Sequence, residues 1–253
     1  MTTIQEEIKE TPKTEQQESL TTEEILLLQE MVEAGLSYGL AKSKTHPGMK
    51  PYIFMTRSGV EIINLESSIK LLSKAAEFLK SIVSSGKSVL IVGTAPAAKN
   101  AVKDVSSRVG TPFVSERWLG GTITNFKVIS SRIKHFNKLI ADRESGAFGK
   151  YTKKERVLLD KKIEKMRLLF EGLSSISDLP GALIVLDPQE NEIAIAEAKE
   201  LGIPVVALAN TDINPKKADY IIPGNNRLAK SVEWVLSYLE PFIKKTGVEK
   251  KSE

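Results

Sequence analysis

Val89-Leu90-Ile91-Val92-Gly93-Thr94 and Ala182-Leu183-Ile184-Val185-Leu186-Asp187 are short apolar runs that each close on turn-forming residues. A strand with no polar alternation has to be covered on both faces, which is the situation inside a parallel sheet. Three further runs fit the same description: Phe113-Val114, Pro204 to Leu208, and Tyr220 to Ile222. Helical periodicity lies between them, over Ala97 to Val109 and from about Asn191 to Leu201, with a last helix containing Trp234 and Tyr238. Strands alternating with helices predict an α/β domain on a five-stranded parallel sheet. Asp187, Asn210 and Gly224 then fall at the carboxyl ends of strands, where such sheets hold ligands.

Upstream of this core, residues 1–20 are polar and acidic and are expected to form a disordered tail. The first part of the domain is placed at 21–125. Thr21-Thr22-Glu23-Glu24 reads as a helix N-cap, followed by an apolar stripe of Ile25, Leu26, Leu28, Met31 and Val32 that stops at Gly35. From Ala34 to Phe54, Gly, Pro and Lys interleave, and no regular structure is expected. Tyr52 to Phe54 and Val60 to Ile63 predict a small hairpin, and a helix follows from about Leu65 to Ser84.

Residues 126–171 interrupt the rhythm. Ile129, Ile133, Phe136 and Ile140 mark one helical stripe; Val157, Leu159, Ile163, Met166 and Phe170 mark another. Gly146-Ala147-Phe148-Gly149 separates them, so the segment is expected to be an antiparallel helical hairpin, a coiled-coil insertion. The second part of the α/β domain is expected over 172–243, with a basic tail at 244–253.

The chain has 253 residues and 41% hydrophobic content, enough for one full core with an insertion. The formal net charge is only +4, but its distribution is uneven. Residues 1–33 hold two lysines against nine glutamates, whereas residues 126–170 hold thirteen Lys or Arg against five acidic residues. The middle of the chain is therefore strongly basic, either as an ordinary solvated helix face or as a surface for an anionic partner. With no cysteine and only His46 and His135, disulfides and Cys- or His-cluster metal sites are excluded. No apolar run approaches the roughly 18 residues of a membrane span, and the acidic N-terminus is unlike a signal peptide. A soluble, cytoplasmic protein with no cofactor is expected.

Phe113 to Phe126 reads FVSERWLGGTITNF. Arg beside an aromatic suits a phosphate grip next to a stacking surface, and the glycine pair permits close backbone approach. The segment is thus a docking turn, or a buried tryptophan beside a glycine turn. Gly93-Thr94 before a helix suggests a phosphate-cradling turn, making a nucleotide-binding protein or α/β enzyme with Asp187 the alternative function. Neither G-x-G-x-x-G nor G-x-x-x-x-G-K-[ST] is present, and Pro96 suits an ordinary helix first turn. Asp187 and Asp212 could be imagined as acid and base, but each is better explained as a turn or cap residue beside Pro188 or Pro215.

The chain resembles the bacterial-type small ribosomal subunit protein two family (S-two). The resemblance rests on Gly35 to Gly39, Pro47-Gly48-Met49-Lys50-Pro51 with Tyr52-Ile53-Phe54, and Ile62-Ile63-Asn64-Leu65-Glu66. It continues through Val92-Gly93-Thr94, Arg117-Trp118-Leu119-Gly120-Gly121 and Thr124-Asn125-Phe126. Leu179 to Asp187, Leu201-Gly202-Ile203-Pro204, Asn210-Thr211-Asp212 and Ile221 to Asn225 complete the order, so Glu24 to Phe242 is covered. Ser37 and Leu40 stand where many members carry histidines, and Ala95 where a lysine is frequent. The resemblance implies a flavodoxin-like parallel sheet with the helical hairpin inserted and no catalysis. It also implies a structural role in the small subunit, with ribosomal RNA, neighbouring ribosomal proteins and the large S-one protein as partners. Candidate RNA contacts are Lys42, Lys44, Lys50, Arg57, Arg117 and Trp118, with Lys127, Arg132, Lys134, Lys153, Lys154, Lys161 and Lys162 in the hairpin. An adhesion or receptor role, known for relatives of this fold outside bacteria, has no secretion signal to support it.

Overall fold

The computed structural model describes residues 21–244. The expected acidic tail at 1–20 and all but the first residue of the basic tail lie outside the described residues. In chain order the elements are α1 (Thr22–Glu33), β1 (Tyr38–Ala41), β2 (Ile53–Arg57), β3 (Val60–Ile63), α2 (Leu65–Ser84), β4 (Val89–Val92), α3 (Pro96–Val109) and β5 (Phe113–Val114). They continue with α4 (Phe126–Glu144), α5 (Lys153–Phe170), β6 (Ala182–Val185), α6 (Glu192–Glu200), β7 (Val205–Ala209), β8 (Tyr220–Pro223) and α7 (Ala229–Ile243).

The five apolar runs form one parallel sheet in the order β5-β4-β6-β7-β8. Counted within the sheet this is 2-1-3-4-5, the flavodoxin-type order, with its switch point between β4 and β6. The period-2 alternation of a strand divides the core in two. Val89, Ile91, Ala182 and Ile184 pack with residues of α1, α2, α3 and α7. Leu90, Val92, Leu183 and Val185 pack with Ile129, Ile133 and Phe136 of α4, Ile163 and Phe170 of α5, and Ile195 and Ala198 of α6.

Between β5 and β6, α4 and α5 lie against each other. Arg143 Nε is 3.2 Å from Asp160 Oδ1, and Lys162 Nζ is 3.2 Å from His135 Nε2. Successive pairs move in opposite directions along the chain, so the helices run antiparallel. Phe136 and Phe170 meet at 6.4 Å between ring centroids.

The N-terminal region differs from expectation in two ways. Thr21 caps α1 in a reciprocal box with Glu24, as its sequence predicts. The buried face of α1, however, carries Met31, with Leu27 and Leu28 packed alongside, while Ile25, Leu26 and Val32 of the expected stripe are exposed. The segment expected to be irregular contains β1, which pairs with β3 to make a three-stranded antiparallel sheet of order β1-β3-β2. Strand β1 is fixed by tertiary partners: Leu40 N–H donates to Thr211 Oγ1 at 3.0 Å. A Cβ on Gly39 would lie 2.7 Å from Thr211 Cγ2 and 2.8 Å from the Glu61 carbonyl oxygen. Glycine there is required by close approach, a reason that local pattern does not reveal.

Gly93, at the end of β4, has a packing role. A Cβ would lie 2.8 Å from Val102 Cγ2, 2.9 Å from Ala98 Cβ and 3.0 Å from Leu186 Cδ1. All three belong to the seam where α3 meets the sheet. Gly93→Ala should therefore destabilise the domain by about 1–3 kcal/mol through overpacking, measured by denaturant unfolding. Gly110→Ala, whose Cβ would meet open space but whose φ is +74°, should show only the backbone cost of about 1 kcal/mol.

Candidate nucleic-acid interface

The turn from Arg117 to Thr124 has no regular structure, so its polar backbone groups need partners from elsewhere. One carboxylate supplies many of them. Glu197, on α6 and 7% exposed, accepts from Trp118 Nε1 at 3.0 Å and Gly121 N at 2.7 Å through Oε1. Its Oε2 accepts from Ile123 N and Thr124 N at 3.2 Å each, and from Thr124 Oγ1 at 3.0 Å. Burial raises the Glu197 carboxyl, but the hydrogen bonds from Trp118, Gly121, Thr124 and Ile123 outweigh it and hold the group below its ordinary value. Gly121 sits at φ +86°, the left-handed region that turns its N–H inward; the neighbouring Gly120 faces open space.

This arrangement decides between the two readings of Trp118. The side chain is 6% exposed and packs with Ile123, Ile129 and the second core, and its indole N–H is engaged by Glu197. It is a positioning residue without an open face for a base. Arg117, one residue earlier, is exposed. Sequence reasoning missed Glu197, although a signal existed: it shares a short helix with Ala194, Ile195 and Ala198, all buried. A carboxylate among such neighbours needs dedicated donors.

The basic residues expected at the interface fall into two groups. Lys127, Arg132, Lys134, Lys153, Lys154, Lys161 and Lys162 are all exposed on α4 and α5. Lys127, Lys134 and Lys138 recur at i, i+7 and i+11 on α4, and Lys154, Lys161 and Lys165 repeat that spacing on α5. At 100° per residue both stripes point away from the buried Ile129, Ile133, Phe136 and Ile163. The second group, Lys42, Lys44, Lys50 and Arg57, is exposed around the three-stranded sheet.

The strand-end turn raised as a nucleotide site is closed by the protein itself. Asp187, 4% exposed, accepts from Thr94 N at 3.0 Å and Thr94 Oγ1 at 3.1 Å, and also from Ala95 N. Asn191 Nδ2 donates to its other oxygen at 2.6 Å. The amides that would cradle a phosphate thus hold an internal carboxylate. Burial pushes the Asp187 carboxyl up to about 6, against those hydrogen bonds. The adjoining cleft, of about 750 Å³, is lined by Asp187, Glu190 and Asp212 as well as Lys44 and Arg227. Arg227 Nη2 donates to Asp212 Oδ2 at 3.3 Å. Among the described residues there is no cluster of three or more His, Cys, Asp or Glu suited to a metal, and no helix is long and apolar enough to cross a membrane.

The profile of the family described as "Ribosomal protein S2" matches residues 31–246. The chain belongs to the ribosomal protein S2 family. It is 37% identical over 213 residues to the small ribosomal subunit protein uS2 of Chloroflexus aggregans, covering 84% of this chain and 90% of the relative. It is 38% identical over 208 residues to uS2 of Chloroflexus aurantiacus, covering 82% of this chain and 87% of that one. The S2 match begins within α1 and takes in the whole sheet, the Glu197-bound turn and both hairpin helices. It supports a non-enzymatic structural protein over the nucleotide-enzyme alternative.

Trp118→Ala should cost about 3–5 kcal/mol of folding stability, whereas Arg117→Ala should stay within about 0.5 kcal/mol, both read by chemical denaturation. Glu197 has a folded pKa below its unfolded value, so its contribution is present above roughly pH 4.3 and is lost as pH falls. Glu197→Gln should therefore be less stable by about 1–3 kcal/mol at pH 7, the gap to wild type narrowing on acidification. Asp187 has the opposite sign: with its folded pKa raised, its contribution weakens as pH rises from about 4 to 6. The two carboxylates are separated by comparing Glu197→Gln and Asp187→Asn over that range.

Proposed function

We propose that this chain is a structural constituent of the small ribosomal subunit that binds ribosomal RNA and neighbouring ribosomal proteins, the large S-one protein among them. In this reading the two parts of the α/β domain, 21–125 and 172–243, form the scaffold, and 126–171 is a basic arm laid along RNA. The observation that carries it is the pair of lysine stripes, set opposite the hairpin core and in register with the helical repeat. Placing like charges together on one face is unfavourable for an isolated protein and is compensated by a polyanion. Arg117 contributes from the Glu197-bound turn, where a guanidinium on an ordered backbone can meet a phosphate with two parallel hydrogen bonds. Lys42, Lys44, Lys50 and Arg57 extend the positive surface to the small sheet.

Affinity in this mode comes from phosphate contacts and selectivity from the shape of folded RNA. The full chain is expected to co-sediment with small subunits in a cell lysate. Replacing Lys127, Lys134, Lys154 and Lys161 with Gln should reduce the slope of log affinity against log salt by roughly 0.7–0.9 per lost contact. An unchanged slope would make the stripes an ordinary solvated face.

A further inference from the structure

The outer face of the three-stranded sheet carries an apolar row that the fold leaves uncovered. Tyr38 of β1 pairs with Ile62 of β3, and Ile62 pairs with Met55 of β2. Directly opposed residues share a face, so these three side chains lie in one line across the sheet. The register of β2 shifts between Ile53, opposite Ile63, and Met55, opposite Ile62. Phe54 is the extra residue of this bulge, the device by which a strand re-aims a side chain. At 70% it is the most exposed large hydrophobic among the described residues; Tyr38 is 57% and Met55 48% exposed. Single exposed apolar residues need no explanation, but Phe54, Met55 and Tyr38 converge on Ile62 and make a continuous patch.

Three cations lie along the same segment as the patch. Arg57 opposes Val60 on the same face as Ile62, Lys42 N–H donates to Gly59 O at the hairpin tip, and Lys50 precedes β2 by one turn. All three cations are exposed, and none forms an ion pair among the described residues. The hairpin's carboxylate, Glu61, points to the other face, where it is 4% exposed and accepts from Thr56 Oγ1 at 2.7 Å. A sheet face offering aromatic and thioether surface beside these cations complements a polyanion with exposed π faces.

We propose that this face is a stacking platform for unpaired nucleotides of ribosomal RNA, with a base on Phe54, a neighbouring base on the Tyr38–Met55 row, and phosphates held by Lys50 and Arg57. It rests on the reading of the chain as an RNA-binding ribosomal constituent and adds the chemistry of a distinct surface. The lysine stripes have only charge to offer and suit a duplex backbone, whereas the small sheet suits single strands. A protein segment laid on the same face is the competing occupant; it would account for the apolar row but would leave the cations unmatched unless acidic.

The test titrates the full-length protein with an unstructured ten-nucleotide RNA containing 2-aminopurine, and with a duplex of equal length. Phe54→Ala is expected to weaken single-strand binding by roughly 5- to 100-fold and abolish the stacking quench, leaving the salt slope unchanged because no phosphate contact is lost. Arg57→Gln should instead lower the slope by roughly 0.7. Duplex binding should be unaffected by Phe54→Ala. A variant that binds the single strand like wild type, or that loses duplex and single strand equally, overturns the platform. The hairpin lysine variant separates the two claims: its salt slope falling while Phe54→Ala is silent rejects the platform alone, and no binding of ribosomal RNA by any form rejects the function beneath it. In reconstituted subunits, Phe54→Ala should make an unpaired base newly reactive to dimethyl sulfate. Loss of a protein neighbour with base reactivity unchanged would assign the face to protein and overturn the proposal.

Discussion

The Glu197 carboxylate joins three parts of the molecule that otherwise have no common element. It stands on α6, beneath the parallel sheet; it binds the turn that leaves β5; and that turn leads directly into α4. Three backbone amides, one indole and one hydroxyl converge on its two oxygens. A buried charge is tolerated only with such a full set of donors, and the donors in turn would be left unsatisfied without the charge. The turn from which α4 departs is held by this single anion, while Ile129, Ile133 and Phe136 seat the helix on the core. Arg117 takes its exposed position from the same contact, because Trp118 beside it is locked inward.

Asp187 repeats the chemistry at the other strand end. There, too, a carboxylate occupies backbone amides at a β–α turn, this time at the switch point where flavodoxin-type sheets place a phosphate. The two sites together explain how an α/β sheet serves as a scaffold. At this strand end the turn amides are taken up from within, and in the proposed reading the surfaces that carry function are peripheral: the turn, the helical arm and the small sheet. The net positive charge is concentrated on the arm, with thirteen Lys or Arg against five acidic residues over 126–170.

The strands and helices of the core were legible because each carries its own signal. Val89 to Val92 and Ala182 to Val185 are apolar throughout, which a strand buried on both faces requires, and α2 begins at an asparagine that caps Glu66 and Ser67. The i, i+4 pattern of Ile129, Ile133 and Phe136 marked the buried face of α4 for the same reason. On α1 the apolar pattern is ambiguous. Apolar residues occupy most of its circumference, and only its packing against the first core, α2 included, decided that Met31 lies inside while Ile25, Leu26 and Val32 lie outside.

The sequence by itself determined the α/β class, the number of parallel strands and their succession along the chain, the position of the basic segment and the family resemblance. These follow from periodicity, from turn chemistry and from ordered motifs, all of which are local along the chain. The tertiary structure alone decided that Gly39 allows β1 to approach Thr211, that Trp118 faces inward, that Glu197 and Asp187 bind distant amides, and that Phe54 is raised on a bulge. All but the last of these depend on a partner far away in sequence, such as Glu197, which lies 76 residues from Gly121; the bulge at Phe54 is set by Ile62 and Ile63 on the next strand of the hairpin. A contact of that kind leaves no periodic trace, because nothing in the local spacing of either residue is constrained by the other.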